Sequence, residues 1–414
     1  MATNRIVIAG AGLAGAKTAE ALRGQGFDGR ITLVGNETHR PYDRPPLSKD
    51  YLAGKSDRDA VFVHQSGWYA DNEIDLRLGM EVTGIDRRGR KVMLADDDSL
   101  PYDRLLLATG ATPRRLPLPG ADAPGVHYLR RLEDSESLQN VIRRSERLVV
   151  IGAGWIGLEV AATARTAGLE VTVVESAELP LLRVLGPEVA AIFAQLHRDH
   201  GVDLRFGAQV SEITHSAGQV DGVRLGDGSH LPADAVLVAI GVEPNTGLAA
   251  DAGLDVHNGI VVDDTLHTND THILAAGDVA NVFHPVLGRH IRVEHWANAL
   301  NQPAAAATAM LTGAASYREL PYFYTDQYDL GMEYTGYVEP GEYDQVVFRG
   351  NTEAREFVAF WLREGRVQAG MNVNVWDVTD DIKALILAGD PVDARRLADP
   401  DVALGDLVAA SSRE

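Results

Sequence analysis

The sequence contains no cysteine in its 414 residues. That alone excludes structural disulfides, thiolate metal sites, iron–sulfur ligation and a redox-active dithiol. Positive charge is also scarce. Lys and Arg number 38 against 59 Asp and Glu, a formal charge of −21. Nucleic acid and anionic membrane surfaces are unfavourable partners for such a chain. No apolar run reaches the ~20 residues that a bilayer span needs. The N-terminus enters a strand within a few residues, with no basic stretch and apolar core before it. No signal peptide is expected, and cytoplasmic residence is. The nearest histidine cluster, His284, His290 and His295, lacks a compact ligand spacing, so no metal site is expected.

Glycine, by contrast, is present in a pattern. Arg5 to Glu37 reads as strand, turn, helix, strand and terminal acid. Ile6 to Ala9 is an apolar run suited to a buried parallel strand. Gly10, Gly12 and Gly15 follow at G-x-G-x-x-G spacing. The first allows the tight turn, the second lets backbone approach a pyrophosphate, and the third lets helix pack on strand. The helix from Leu13 to Arg23 would aim its N–H groups and dipole at that pyrophosphate. The ribose would fall to Asn36 or Glu37: Glu37 has the charge, Asn36 the position. The unit then repeats. Arg147 to Glu175 carries Gly152, Gly154 and Gly157 at the same spacing, and Glu175 ends its second strand. Two such units predict two dinucleotide sites in one chain. Glu175 can accept from both ribose hydroxyls of NADH, whereas a 2′-phosphate would meet a like charge, so NADH is favoured over NADPH.

The rest of the chain supplies further signals. In Arg40 to Lys49 the prolines predict an extended entry, then a short helix that starts at Ser48 or earlier and carries Lys49. Arg44 and Lys49 are its notable cations. LLLAT (Leu105 to Thr109) and AVLVAI (Ala235 to Ile240) read as buried strands before crossings between nucleotide domains. Val63 to Arg77 and Leu204 to His230 read as short strands and turns, with a hairpin at Asp227–Gly228. ILAAGD (Ile273 to Asp278) is a strand ending in Gly277 and Asp278. That Asp can accept from a ribityl hydroxyl or N-cap a following helix. His295–Trp296–Ala297 opens an Ala-rich helix to about Leu311. After Pro321 aromatics become frequent and Gln345 to Phe348 and Glu356 to Leu362 alternate as strands do, with a closing helix over Asp377 to Leu387.

Together these stretches resemble the two-dinucleotide-binding flavoproteins. They are most similar to the FAD-containing, NADH-dependent ferredoxin reductases that serve bacterial oxygenases and cytochromes P450. Apoptosis-inducing factor and the rubredoxin reductases are similar relatives. The resemblance spans essentially the whole chain. Its most specific parts are PYDRPPLSK (Pro41 to Lys49) and GWIGLEVAA (Gly154 to Ala162). It implies an α/β fold, glutathione-reductase-like, with a discontinuous FAD domain (1–112 and 245–320), an NADH domain (113–244) and a C-terminal α+β interface domain (321–414).

The resemblance also assigns residues. Gly10, Gly12, Leu13, Ala14 and Gly15 would hold the FAD pyrophosphate, and Asn36 or Glu37 its ribose. Arg44 and Lys49 would contact FAD, Lys49 near the reactive N5 edge. Val82 would meet the adenine side, Arg130, Gly277 and Asp278 would complete the site, and Trp296 would lie near the flavin ring. Gly152, Gly154, Trp155, Ile156 and Gly157 would hold the NADH pyrophosphate and Glu175 its ribose. Glu159 would sit near the nicotinamide and pair with Lys49. Lys49 and Glu159 are thus the candidate catalytic residues. The implied reaction is hydride transfer from NADH to FAD, then single-electron transfer to a ferredoxin by a monomer or weak homodimer.

The chain departs from its relatives at two places. Asn36 stands where relatives often have an acid. Pro321–Tyr–Phe–Tyr–Thr–Asp–Gln327 stands where they show P-W-F-W-S-D-Q, so Tyr322 and Tyr324 replace both tryptophans. An NADH oxidase, a quinone or monodehydroascorbate reductase, or a nucleotide-sensing protein remains an alternative on the same scaffold. Docking of an acidic ferredoxin would need a basic patch. Candidates are Arg87, Arg88, Arg90 and Lys91, or Arg114 and Arg115, or Arg143 and Arg144.

Overall fold

Ile6, Val7, Ile8 and Ala9 are all buried, on both faces of their strand. A strand with no wet face belongs in the middle of a parallel sheet. The computed structural model, which describes residues 3–411, puts it there. Arg5–Ala9 is central in a five-stranded sheet. Arg104–Leu107 and then Ile273–Ala275 lie on one side of it, Arg30–Val34 and then Ile74–Arg77 on the other. All four pairings are parallel, with Ile6 opposite Ile31 and Val7 opposite Leu105. The strand order reverses direction at Arg5–Ala9. Ligands of open α/β sheets bind in the crevice at the strand ends at such a switch.

The chain divides into two compact units. One comprises Met1–Arg44, Arg58–Thr112 and Val242–Pro321. The other comprises Pro45–Asp57, Pro113–Gly241 and Tyr322–Glu414. The second unit repeats the first in plan. Arg147–Ile151 is central, flanked by Glu170–Glu175 and Asp203–Phe206 on one side and by Ala235–Val238 and Val126–His127 on the other, all parallel. It also contains a five-stranded antiparallel sheet in the order Tyr322–Gln327, Leu330–Gly336, Arg366–Val373, Glu356–Arg363, Gln345–Asn351. Phe323, Tyr334 and Trp361 pack ring to ring in its core, with centroids 4.9 and 5.3 Å apart. These aromatics are core. Among the described residues no helix is long and apolar enough to cross a membrane, and no group of three or more His, Cys, Asp or Glu is placed to hold a metal ion.

Local expectations fare differently. The first helix runs Leu13–Gly24, the Ala-rich helix Trp296–Thr312, and the closing helix Thr379–Ala388, with two short helices beyond it. Asp227–Gly228 forms the turn of a hairpin, Gly228 at φ +87°. The stretch from Val63 to Arg77 is not all strand and turn. Trp68–Asp71 is a helical turn ahead of the edge strand Ile74–Arg77. The prolines also behave otherwise than expected. Pro45–Ser48 is itself a 3-10 turn, and Lys49 follows it, its N–H donating to the Pro46 carbonyl at 3.1 Å. Proline fits the first turn of a helix because its fixed φ is helical and the missing N–H would be unbonded anyway.

The glycine turns are set by close approach. Gly10 has φ +121°, and a methyl group built on it falls 2.1 Å from the Ala108 carbonyl oxygen. Gly15 would put its methyl 2.0 Å from the Gly10 carbonyl oxygen. Gly10→Ala is therefore expected to cost on the order of 3 kcal/mol, from forced φ and backbone overlap together. The melting temperature of Gly10→Ala should fall by roughly 3–6 °C. An unchanged melting curve would show that the turn relaxes freely.

Candidate functional site

Each unit holds one glycine turn, and each turn opens onto its own cleft. The cleft of the first unit has a volume of about 620 Å³ and is lined by Ala9, Gly10, Gly35, Asn36, Val82 and Asn245 among others. That of the second is about 590 Å³, lined by Gly152, Gly154, Trp155, Glu175, Leu181 and Arg183 among others. Both volumes fall in the range of roughly 300–1,000 Å³ of small-molecule sites.

The middle glycines show why the turns suit a ligand. A methyl built on Gly154 meets no atom within 4 Å. On Gly12 it meets only Nη1 of Arg44, at 3.6 Å. These two positions have room for a side chain and carry none, while Gly10, Gly15, Gly152 and Gly157 have no room. Space left open above a helix N-terminus is what a pyrophosphate requires. In the first unit the Arg44 guanidinium stands over that space. Gly277 packs against the same helix start, its missing Cβ 3.0 Å from Cβ of Ala14, and its N–H donates to Oε1 of Gln302 at 2.7 Å. Asp278 is thereby delivered beside the glycine turn. Its chain continues into the strand Ala280–His284, not a helix, so the N-cap alternative for Asp278 is removed.

The two ribose candidates of the first unit separate. Glu37 accepts from the Tyr42 hydroxyl at 2.5 Å and from Nη2 of Arg44 at 3.3 Å. Asn36 lines the cleft and Glu37 does not. Glu37 orients Arg44, and Asn36 faces the ligand space. At the head of the Ala-rich helix, Nε1 of Trp296 donates to Oδ1 of Asp43 at 2.8 Å, which fixes the indole. The adjacent His295 is half-buried, and desolvation of its ring lowers its pKa to about 4 against the opposing pull of Asp278.

In the second unit Glu175 also braces its turn. Oε2 accepts from the Ala153 N–H at 2.8 Å, and Oε1 from the Ala177 N–H at 2.9 Å and the Ser176 hydroxyl at 3.1 Å. It presents a fixed carboxylate at the cleft wall. Leu181, in the left-handed region at φ +55°, donates its N–H to the Ala153 carbonyl at 3.1 Å, which ties the next helix to the turn.

The third element is an ion pair. Glu159 sits one turn into the helix Trp155–Thr166 and is 4% exposed. Its Oε1 accepts from Nζ of Lys49 at 2.5 Å and from Oγ1 of Thr325 at 2.6 Å; its Oε2 accepts from Oγ of Ser48 at 2.5 Å. Three donors make a buried carboxylate tolerable. The segment carrying Ser48 and Lys49 is pinned to the same unit. The Leu47 carbonyl accepts from Oγ of Ser135 at 2.8 Å and the Ser48 carbonyl from Oγ1 of Thr163 at 3.1 Å. Lys49 also lies 5.3 Å from the centroid of the Tyr324 ring.

Comparison with known proteins gives the family. A family model described as pyridine nucleotide-disulphide oxidoreductase matches residues 4–303, and one described as reductase C-terminal matches residues 322–408. Putidaredoxin reductase from Pseudomonas putida is 41% identical over 100% of this chain and 99% of its own. The ferredoxin–NAD(+) reductase component of the anthranilate 1,2-dioxygenase system from Burkholderia cepacia is 42% identical over 98% and 99%. The chain belongs to the FAD-dependent NADH:ferredoxin reductase family. Among solved structures, the covalent putidaredoxin reductase–putidaredoxin complex matches with a TM-score of 0.95 at 41% identity, covering 100% of both chains. The chain carries the fold of the disulphide oxidoreductases without their disulphide chemistry, since it has no cysteine.

Within this family frame, the expected residues divide between the units. Gly10, Gly12, Leu13, Ala14, Gly15, Asn36, Glu37, Arg44, Val82, Gly277, Asp278 and Trp296 belong to the first. Lys49, Arg130, Gly152, Gly154, Trp155, Ile156, Gly157, Glu159 and Glu175 belong to the second. The Arg130 N–H donates to Oδ2 of Asp134 at 2.9 Å, at the start of the helix Leu132–Arg144. Two of the basic candidates for docking have partners within the chain. Arg87 binds Oδ2 of Asp270 at 2.9 Å and the carbonyls of Ala252 and Gly253, and the Arg115 guanidinium lies 4.1 Å from the centroid of Tyr128.

Sequence reasoning missed other residues. Asn245 lines the first cleft, its amide donating to the Thr109 carbonyl at 2.7 Å and accepting from Oγ1 of Thr112 at 2.7 Å. Ser48 and Thr325 on Glu159 were also unforeseen. The change from Ser to Thr in the stretch around Tyr324 was the one sequence signal that Thr325 matters.

Proposed function

We propose that this protein oxidises NADH and hands single electrons to a small iron–sulfur protein of the ferredoxin type, in the cytoplasm, in the service of an oxygenase or a cytochrome P450. What carries the reading is a pair of glycine clefts, one in each unit, in a chain that matches such reductases from end to end. Bound FAD supplies the conversion between a two-electron donor and a one-electron acceptor. The chain supplies the setting. Arg44 and the helix start at Leu13 offset pyrophosphate charge, Asn36 and Asp278 orient hydroxyls, and Lys49 places a cation held by Glu159.

The fixed Glu175 carboxylate makes NADH the donor. A 2′-phosphate would be brought against a charge that three donors hold in place. Steady-state reduction of a two-iron, two-sulfur ferredoxin tests the proposal. NADH should support it with kcat/KM at least about tenfold above NADPH. Fast oxidation of NADH by oxygen or quinone, with no ferredoxin reduction, would overturn the assignment of acceptor.

A further inference from the structure

Five polar side chains of the second unit form a hydrogen-bonded series that ends on Glu159. The Tyr328 hydroxyl lies 3.4 Å from Nδ1 of His197, and Nε2 of His197 lies 2.9 Å from Oε1 of Gln327. Nε2 of Gln327 donates to Oγ1 of Thr325 at 3.2 Å, and Oγ1 of Thr325 donates to Oε1 of Glu159 at 2.6 Å. His197, Gln327, Thr325 and Glu159 are all buried.

Each link dictates the next. A carboxylate only accepts, so the Thr325 hydroxyl must give its proton to Glu159. Thr325 then offers lone pairs alone, and the amide nitrogen of Gln327 must face it. The amide oxygen consequently faces His197, which fixes the Nε2–H tautomer and leaves Nδ1 to accept from Tyr328. Every donor points toward the carboxylate, and bonds aligned in this way strengthen one another. Burial lowers the His197 pKa to about 4, so the ring stays neutral at physiological pH and the direction of the series is stable.

The sequence gains nothing in packing from this arrangement. Phe323, Thr325 and Gln327 are the inward positions of the strand Tyr322–Gln327. Two of the three are polar, next to a core of aromatics, where an apolar pair would avoid all desolvation cost. We infer that Thr325 and Gln327 are positioning residues for flavin reduction. The series they complete fixes the Glu159 carboxylate, and Glu159 in turn sets the place of the Lys49 ammonium. The inference rests on the reading of NADH oxidation given above. Thr325 and Lys49 share one oxygen, Oε1, so loss of the hydroxyl is felt at the ion pair directly. The other charges near the pair are Asp326, which interacts with both Lys49 and Glu159, and beyond it Asp50 and Glu333.

The test is anaerobic rapid mixing of FAD-loaded Thr325→Val with saturating NADH across the pH range of about 5.5 to 8.5. Losing this donor leaves Oε1 of Glu159 to Lys49 alone and frees the ion pair to shift. The limiting rate of flavin reduction should fall on the order of tenfold, with NADH affinity within about twofold of the parent. Thr325→Ser should restore the parent profile. Gln327→Met should lower the rate by less, and decides the matter if Thr325→Val does not retain FAD. Rates equal to the parent at every pH, or Ser as slow as Val, would overturn the inference. A parent protein that NADH does not reduce would instead remove the functional reading beneath it.

Discussion

Gly154→Val should give a folded, yellow protein that NADH no longer reduces. The prediction contrasts two kinds of glycine in one turn. Gly152 and Gly157 have backbone oxygens 2.4 and 2.2 Å from where a Cβ would stand, so substitution there damages the fold. Gly154 has open space, and the Cβ of a valine would start with no protein atom within 4 Å. The side chain would occupy the volume where the pyrophosphate of the nucleotide approaches the start of the helix Trp155–Thr166. FAD content and melting temperature should match the parent, while the apparent KM for NADH rises on the order of a hundredfold or more. Absorbance at the flavin bands and a titration with NADH separate the two outcomes. Normal reduction kinetics would mean that nucleotide does not approach this turn.

Lys49→Met should leave the flavin bound and slow its reduction. Removing one partner of a buried ion pair usually costs about 3–5 kcal/mol, because the other is left as an unpaired charge. Here the partner is not abandoned, since Glu159 keeps the hydroxyls of Ser48 and Thr325. The fold should therefore survive, and methionine approximates the length of the lysine stem. What is lost is a cation, 14% exposed, aimed by a fixed carboxylate. A single preorganised charge of this kind is worth on the order of 10²-fold in rate. The expected result is a limiting reduction rate lower by about that factor, with FAD content unchanged. Reduction as fast as in the parent would take Lys49 out of the chemistry. The reverse substitution, Glu159→Leu, should be the more destabilising of the two, because it leaves the ammonium with its anion gone.

The glycine turns were legible because their chemistry is local. A strand, three glycines at fixed spacing and a helix are contiguous, and the structural demand falls on the backbone itself. The strand and helix bounds of both repeats follow from the same short stretches. Side-chain partnerships were less visible. Asn36 and Glu37 could not be ranked, because what draws Glu37 away is Tyr42 and Arg44, and only folding aims those two residues back at it. Asp278 stayed ambiguous until the segment after it proved to be a strand, which no residue within Val279 to Asn281 announces. Thr325 and Ser48 reach Glu159 from 166 and 111 residues away in the chain, where no periodicity can report a contact. The Pro45–Ser48 turn was only half legible, since the short helix was expected but consecutive prolines suit an extended chain and a helix's first turn equally well. One member of the basic clusters proved to be structural. Arg87 looked available in sequence and is spent on Asp270 and two carbonyls.

The two units carry their clefts separately, and the proposed reaction requires electrons to pass from a nucleotide held by one turn to a flavin held by the other. Anaerobic rapid mixing of the purified FAD-loaded protein with NADH measures that passage alone, without any acceptor. Bleaching of the flavin bands within a fraction of a second, with one NADH consumed per flavin, is the predicted result. Flavin bands that persist in the presence of excess NADH, in protein shown to contain FAD, would contradict the account.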